Sequence, residues 1–157
     1  MPIGALPVDA KIQVMKVEGS TTIPAPRDRV FAMLLDPEVL KRAVSGCEDF
    51  IPTGEGVYRI KMSAGIASIR GRMEGEVQVN ESRPPEHYRL AMKGKGMGSF
   101  VDGWAAIDLT EADGATHVAY QGEATVGGMI AAVGSRMIEL AVKKALGDFF
   151  EKLKQEA

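Results

Sequence analysis

A single cysteine and two histidines are all the sulfur-nucleophile and imidazole chemistry that 157 residues contain. One thiol cannot close an intramolecular disulfide, so the fold must rest on its core and suits a reducing, cytoplasmic setting. Nucleophilic triads and metal centres, which need several such groups to converge, are short of material, and no cofactor or metal is expected. Aromatics are few as well, with five Phe, three Tyr and one Trp. No run approaches the roughly 18 apolar residues of a membrane span; the longest candidate, Met129 to Val133, is far too short. Nor is there a basic surplus. Lys plus Arg number 19 against 21 Asp plus Glu, a net charge of −2, which argues against a dedicated nucleic-acid binder. The opening Met1 to Ala10 has no basic start and is interrupted by Pro2, Pro7 and Asp9, so it reads as a loose leader and not a signal peptide.

What is present is ordinary for a globular domain: 45% hydrophobic and 25% charged residues, in a length that suits one domain over 11–157. Met15, Val17, Gly19, Thr21 and Ile23 alternate along a first strand that Pro24 and Pro26 stop. Two short helices follow, one carrying Val30, Phe31, Leu34 and Leu35, the other opened by Asp36-Pro37 and closed at Gly46. Alternation then returns. Tyr58, Ile60 and Met62 mark one strand, with a turn allowed over Ala64 to Ala67. Ile69 to Val79 is the clearest strand, and Tyr88, Leu90 and Met92 belong to the next. Gly94, Gly96 and Gly98 suggest a bulged connection to two further strands, Phe100 to Leu109 and Thr116 to Val126. From Met129 to about Lys154 the pattern is helical, with Ile130, Val133, Met137, Ala141, Ala145 and Phe149 along one stripe. No βαβ alternation exists, so the expected class is α+β: an antiparallel sheet curled over one long helix.

Reactive groups are hard to assemble. Alternation puts His117 on the outer face, and His87 follows the Pro84-Pro85 turn. Cys47 has no basic residue fixed beside it and reads as a small buried hydrophobe. Lys93 to Gly98 fits neither a P-loop nor GxGxxG, and Gly127-Gly128 before the last helix is a weak anion site. Asp102 alone could be an inward acid, with Arg72 or Tyr120 as partner. The positive signal is different. Met62, Met73, Met92 and Met137 fall on expected inward faces beside Gly71, Gly75 and Gly122, where glycine would leave space and methionine would line it adaptably.

Three stretches carry a family resemblance: GSTTIPAPRDRVFAMLLDPEVLKRAVSGCEDF, GKGMGSFVDGWAAIDL and GGMIAAVGSRMI. With their Ala25-Pro26, Asp36-Pro37-Glu38 and Gly46-Cys47-Glu48 elements they resemble the CoxG family of carbon monoxide dehydrogenase subunits, in the START-like, Bet v 1-like (SRPBCC) superfamily. The similarity runs from about Lys16 to Leu153. Ser45 departs from the proline usual in that family, and the C-terminal extension that carries a membrane anchor in many relatives is not seen. The resemblance implies a helix-grip fold, a curved sheet of seven antiparallel strands around the C-terminal helix, over a hydrophobic cavity. It further implies a role beside a molybdenum hydroxylase of the carbon monoxide dehydrogenase type, in membrane recruitment, maturation or electron transfer to quinone, and a quinone or similar lipid fits the cavity; without the anchor, at most transient membrane contact is expected. The expected function is therefore non-enzymatic binding of an apolar small molecule. Phe31, Leu35 and Leu40 would form a lid, and Ile60, Met62, Ile69, Met73, Leu90, Met92 and Tyr120 the walls. Ile130, Val133, Met137 and Ala141 would form the helix side, with Tyr120 as hydrogen-bond donor to a quinone carbonyl. The alternatives are a cyclase- or hydrolase-like enzyme using Asp102, and a closed-core interaction module.

Overall fold

The alternating apolar residues of the first strand, β1 (Ile12–Ile23), point Met15 and Ile23 into the core. Pro24 and Pro26 then release the chain into two short helices, α1 (Arg27–Leu35) and α2 (Pro37–Ala43). Pro26 has no side chain to cap α1; instead the Arg27 amide donates to the Glu111 carboxylate at 2.6 Å. Asp36 caps α2 in the expected way, accepting from the Glu38 amide at 2.9 Å with Pro37 in the first turn. Six strands follow: β2 (Cys47–Gly54), β3 (Val57–Ile66), β4 (Ile69–Arg83), β5 (His87–Gly96), β6 (Ser99–Ala112) and β7 (Ala115–Gly128). A 3-10 turn (Ala131–Val133) leads into the long helix α3 (Ser135–Glu156). The structure is a computed structural model that describes residues 12–66 and 68–157, so the leader expected at Met1 to Ala10 lies outside the described residues.

The strands form one antiparallel sheet in the order β1-β7-β6-β5-β4-β3-β2, which places the first strand beside the last. Two glycines explain how the sheet bends. A Cβ on Gly75 would collide with the carbonyl oxygen of Lys93 on β5, and one on Gly122 with that of Trp104 on β6. Neighbouring backbones come this close only where no side chain stands between them. Glycine here curls the sheet. It does not merely vacate volume, as the sequence suggests. Gly71 departs from that expectation differently, because the Met97 side chain lies over it.

Several local expectations change for identifiable reasons. β3 continues through Ile66, paired with Ile69, where a turn from Ala64 was expected. Pairing of β5 with β6 is unbroken to Gly96 and Ser99, so the connection is no bulge. It is a tight turn in which Met97 and Gly98 both have positive φ, 55° and 66°, matching the twist of the flanking strands. That register sets Asp102 opposite Lys93 on the outer face, exposed to solvent, so the candidate inward acid is not one. The helix begins later than its pattern implies, because Gly134 at φ 98° separates the 3-10 turn from α3. The 22-residue helix is about 33 Å long. The break shifts its phase: Ile138, Phe150 and Leu153 are buried, while Met137 is 43% exposed and Ala145 also faces solvent.

Polar ties hold the helices to the sheet. Thr116 donates from its buried hydroxyl to the Ala25 carbonyl at 2.7 Å, and Tyr58 donates to the Leu35 carbonyl at 3.2 Å. Arg42 of α2 donates twice to the Glu156 carboxylate, at 2.9 and 2.7 Å, while Arg29 donates to the Glu156 carbonyl. The Arg42 hydrogen bond holds the Glu156 carboxyl below its ordinary value. On the outer face Arg89 lies 4.2 Å from the ring centre of Trp104.

Replacing Gly122 by Ala, a change that usually strengthens a strand, should here cost about 2–4 kcal/mol, because overpacking must push β6 and β7 apart. Urea unfolding of the variant checks this; a loss below about 0.5 kcal/mol means that the close approach is not structurally required.

Candidate functional site

The buried core falls into two clusters. One gathers α1, α2 and the C-terminal half of α3 around Ile23, Val30, Phe31, Tyr88, Val118, Phe150 and Leu153. The other gathers the 3-10 turn and the start of α3 around Met15, Val126, Ile130, Ala131 and Ile138, with Ile66, Ile69, Met73 and Met97 packed against it. Between them runs a cleft of about 500 Å³, bounded by β1 and Tyr120 of β7 on one side and by α3 on the other. That is within the usual range for small-molecule sites. Its apolar lining is drawn from both clusters: Met15 and Val142 from one, Tyr120, Leu146 and Phe150 from the other, with Val17 beside them.

The residues expected to line an interior distribute unevenly. Tyr120 lines the cleft, half-buried and stacked on Phe150 with ring centres 5.3 Å apart. Its hydroxyl would lie 2.5 Å from a Cβ on Gly19, so it leans over the edge strand where β1 carries no side chain. Phe31 and Leu40 are buried and Leu35 is half-buried; Phe31 meets Tyr88 edge to face at 5.5 Å. Ile69, Met73, Ile130 and Val133 belong to or pack on the second cluster, and Leu90 packs on the first. Ile60, Met62 and Ala141 are half-buried in neither cluster. Met92 keeps its inward register beside Gly103 yet is 36% exposed, so the concave face is open over β5. Met137 does not line the interior, for the reason of helix phase given above. Met15, Val17, Val142, Leu146 and Phe150 were the walls missed. Alternation and helical spacing mark them as apolar positions, but only the pairing of β1 with β7 brings them to one place.

Charged groups stay at the rim. Lys16, Glu18, Glu139, Lys143, Glu151 and Lys154 border the cleft. A wider hollow of about 780 Å³ lies elsewhere, on the outer face, where Lys61, Arg72, Glu74 and Lys95 surround Phe100 and Ile12. Its charges are largely paired, Lys61 with Glu74 at 3.7 Å and Arg72 with Glu48 at 3.3 Å. Among the described residues no group of His, Cys, Asp and Glu could hold a metal ion. His87 pairs with Asp108 at 2.7 Å, and His117 is exposed. Cys47 is half-buried, its thiol donating to the Asp49 carbonyl at 3.3 Å, and burial pushes its pKa up. Gly127-Gly128 precedes no helix N-terminus, since α3 starts at Ser135.

A raised pKa leaves less thiolate, so Cys47 should react with iodoacetamide more slowly than free cysteine at pH 8. Mass-spectrometric timing of alkylation measures this, and a faster reaction would show an activated thiol.

The comparisons agree with this architecture. The chain is similar to a conserved protein from Geobacillus kaustophilus at 34% identity, with a TM-score of 0.86 over 90% of this chain and 94% of that one. A protein from Rhizobium leguminosarum (11% identity, TM-score 0.68, 93% and 95% covered) has the same fold. So does the Zhui aromatase/cyclase from Streptomyces sp. R1128 (14%, 0.65, 92% and 93%). A search of the curated proteins finds no match. The sheet wrapped on its last helix is thus the helix-grip fold, as the resemblance implied. Residues 19–157 match CoxG, the family described as a carbon monoxide dehydrogenase subunit, and the chain belongs to that family.

Proposed function

We propose that the protein binds an apolar small molecule, a quinone-like compound or another lipid, in the seam between its two core clusters. It would do so as a non-enzymatic, cytoplasmic accessory to a molybdenum hydroxylase of the carbon monoxide dehydrogenase type. The observation that carries this reading is the divided core: a cleft of about 500 Å³, open to solvent along a charged rim, is walled by Met15, Tyr120, Val142, Leu146 and Phe150 from the two clusters. Membership of a family described as a dehydrogenase subunit supports the accessory role. Burying a long apolar chain supplies about 0.8 kcal/mol per methylene before the costs of association. Asp102, on which the enzyme alternative rested, is exposed on the outer face opposite Lys93.

Mass spectrometry of organic extracts from purified protein should reveal a bound apolar compound, and added quinone should titrate to saturation. Tyr120→Phe should weaken quinone binding about fivefold, one neutral hydrogen bond, with the thermal midpoint unchanged. Protein that is always empty and ignores quinones would contradict the reading.

A transient membrane contact is part of the proposal. No helix among the described residues is long and apolar enough to cross a bilayer. Yet Met129 is 56% exposed, Leu140 57% and Met137 43%, all at the end of the molecule where α3 begins, with Arg136 exposed among them. Met129→Asp/Leu140→Asp should abolish co-flotation with vesicles containing phosphatidylglycerol; wild-type protein that never floats would remove this part of the proposal.

A further inference from the structure

The line of α3 facing the edge strand reads Glu139, Lys143, Gly147, Glu151, and all four border the seam cleft. Three carry long charged side chains; Gly147 carries none and cuts a notch in the ridge. Packing does not demand this glycine, since a Cβ there would have nothing within 4 Å. Glycine in a helix interior is destabilising, so an unforced one beside a cleft calls for another reason. Across the gap, Gly19 likewise lacks a side chain on β1, and the Tyr120 hydroxyl leans over it. Of the rim charges Lys154 pairs with Glu151 inside α3, and among the described residues no ion pair latches α3 to β1. The rim charges also balance, three Lys (16, 143, 154) against three Glu (18, 139, 151). A balanced rim gives an ionised head group no net attraction, and Tyr120 offers a neutral one a hydrogen bond.

We infer that the notch at Gly147 is the entrance by which the ligand passes between β1 and α3, and that this ligand has an uncharged polar head lodged beside Tyr120. This rests on the reading above, and it specifies both route and ligand class. A gate differs from a wall in its kinetics. Narrowing a gate slows entrance and exit equally and leaves the equilibrium alone, whereas altering a wall changes affinity through dissociation.

The test is stopped-flow displacement of the neutral fluorophore 1-aminoanthracene by a decyl-substituted benzoquinone. Gly147→Phe should slow association and dissociation of the quinone at least about tenfold, with Kd held within about threefold. Gly147→Lys, which completes the charged ridge, should act the same way and guards against a misfolded Phe variant. Ala145→Phe, at an exposed position of α3 outside the cleft, should change nothing. Decanoate, with the same chain and an anionic head, should compete at least about tenfold more weakly than the quinone. Unchanged rates in both Gly147 variants, with binding intact, overturn the entrance and leave the binding reading standing. A raised Kd without matched slowing also overturns it, and equal competition by decanoate overturns the neutral head. Wild-type protein that binds neither fluorophore nor quinone brings down the reading and the inference together.

Discussion

The close approach of strand backbones at Gly75 and Gly122 is the constraint on which the rest of the molecule depends. Seven strands laid flat would cover one side of a helix and leave a continuous contact. Drawn together where neither strand interposes a side chain, they curl, and a curled sheet meets a straight helix only in part. The core then gathers where helix and sheet converge, around Leu153 and Val118 at one end and Ile138 and Val126 at the other. The seam between these masses is therefore a geometric result of curvature. No unusual residue has to be placed there to create it.

The chemistry of the seam follows from which groups curvature leaves inside. Tyr120 is the hydroxyl-bearing aromatic among the lining residues, and the ionisable groups remain at the edge. Such an interior can hold and orient a ligand through burial and one directional contact. The relatives of low identity share the fold, and one of them is an aromatase/cyclase. Architecture alone thus leaves activity open, and the lining must supply the distinction.

Much of this was legible in the sequence, for definite reasons. Period-two alternation identified the strands because one face of each is buried, and Asp36-Pro37 fixed the start of α2 because both residues act locally. Asp102 was not legible. Its facing depends on a two-residue turn at Met97-Gly98, and glycines spaced by two fit a bulge equally well. Met137 was misplaced because Gly134 breaks the helical phase, while apolar spacing runs on through the break. The walls at Met15 and Val142 depend on the first strand meeting the last, a contact between residues far apart in sequence. Local physics reached the elements, and the seam between them belongs to topology.

The placement of the indole has a practical meaning. Trp104, the chain's one tryptophan, sits on the convex side beneath the Arg89 guanidinium, with the full thickness of the β-layer between it and the apolar seam. Its emission therefore reports whether β5 and β6 remain joined, since parting them removes the cation from the ring. Tryptophan emission in this protein is thus a gauge of one strand pairing, read from the convex side of the sheet.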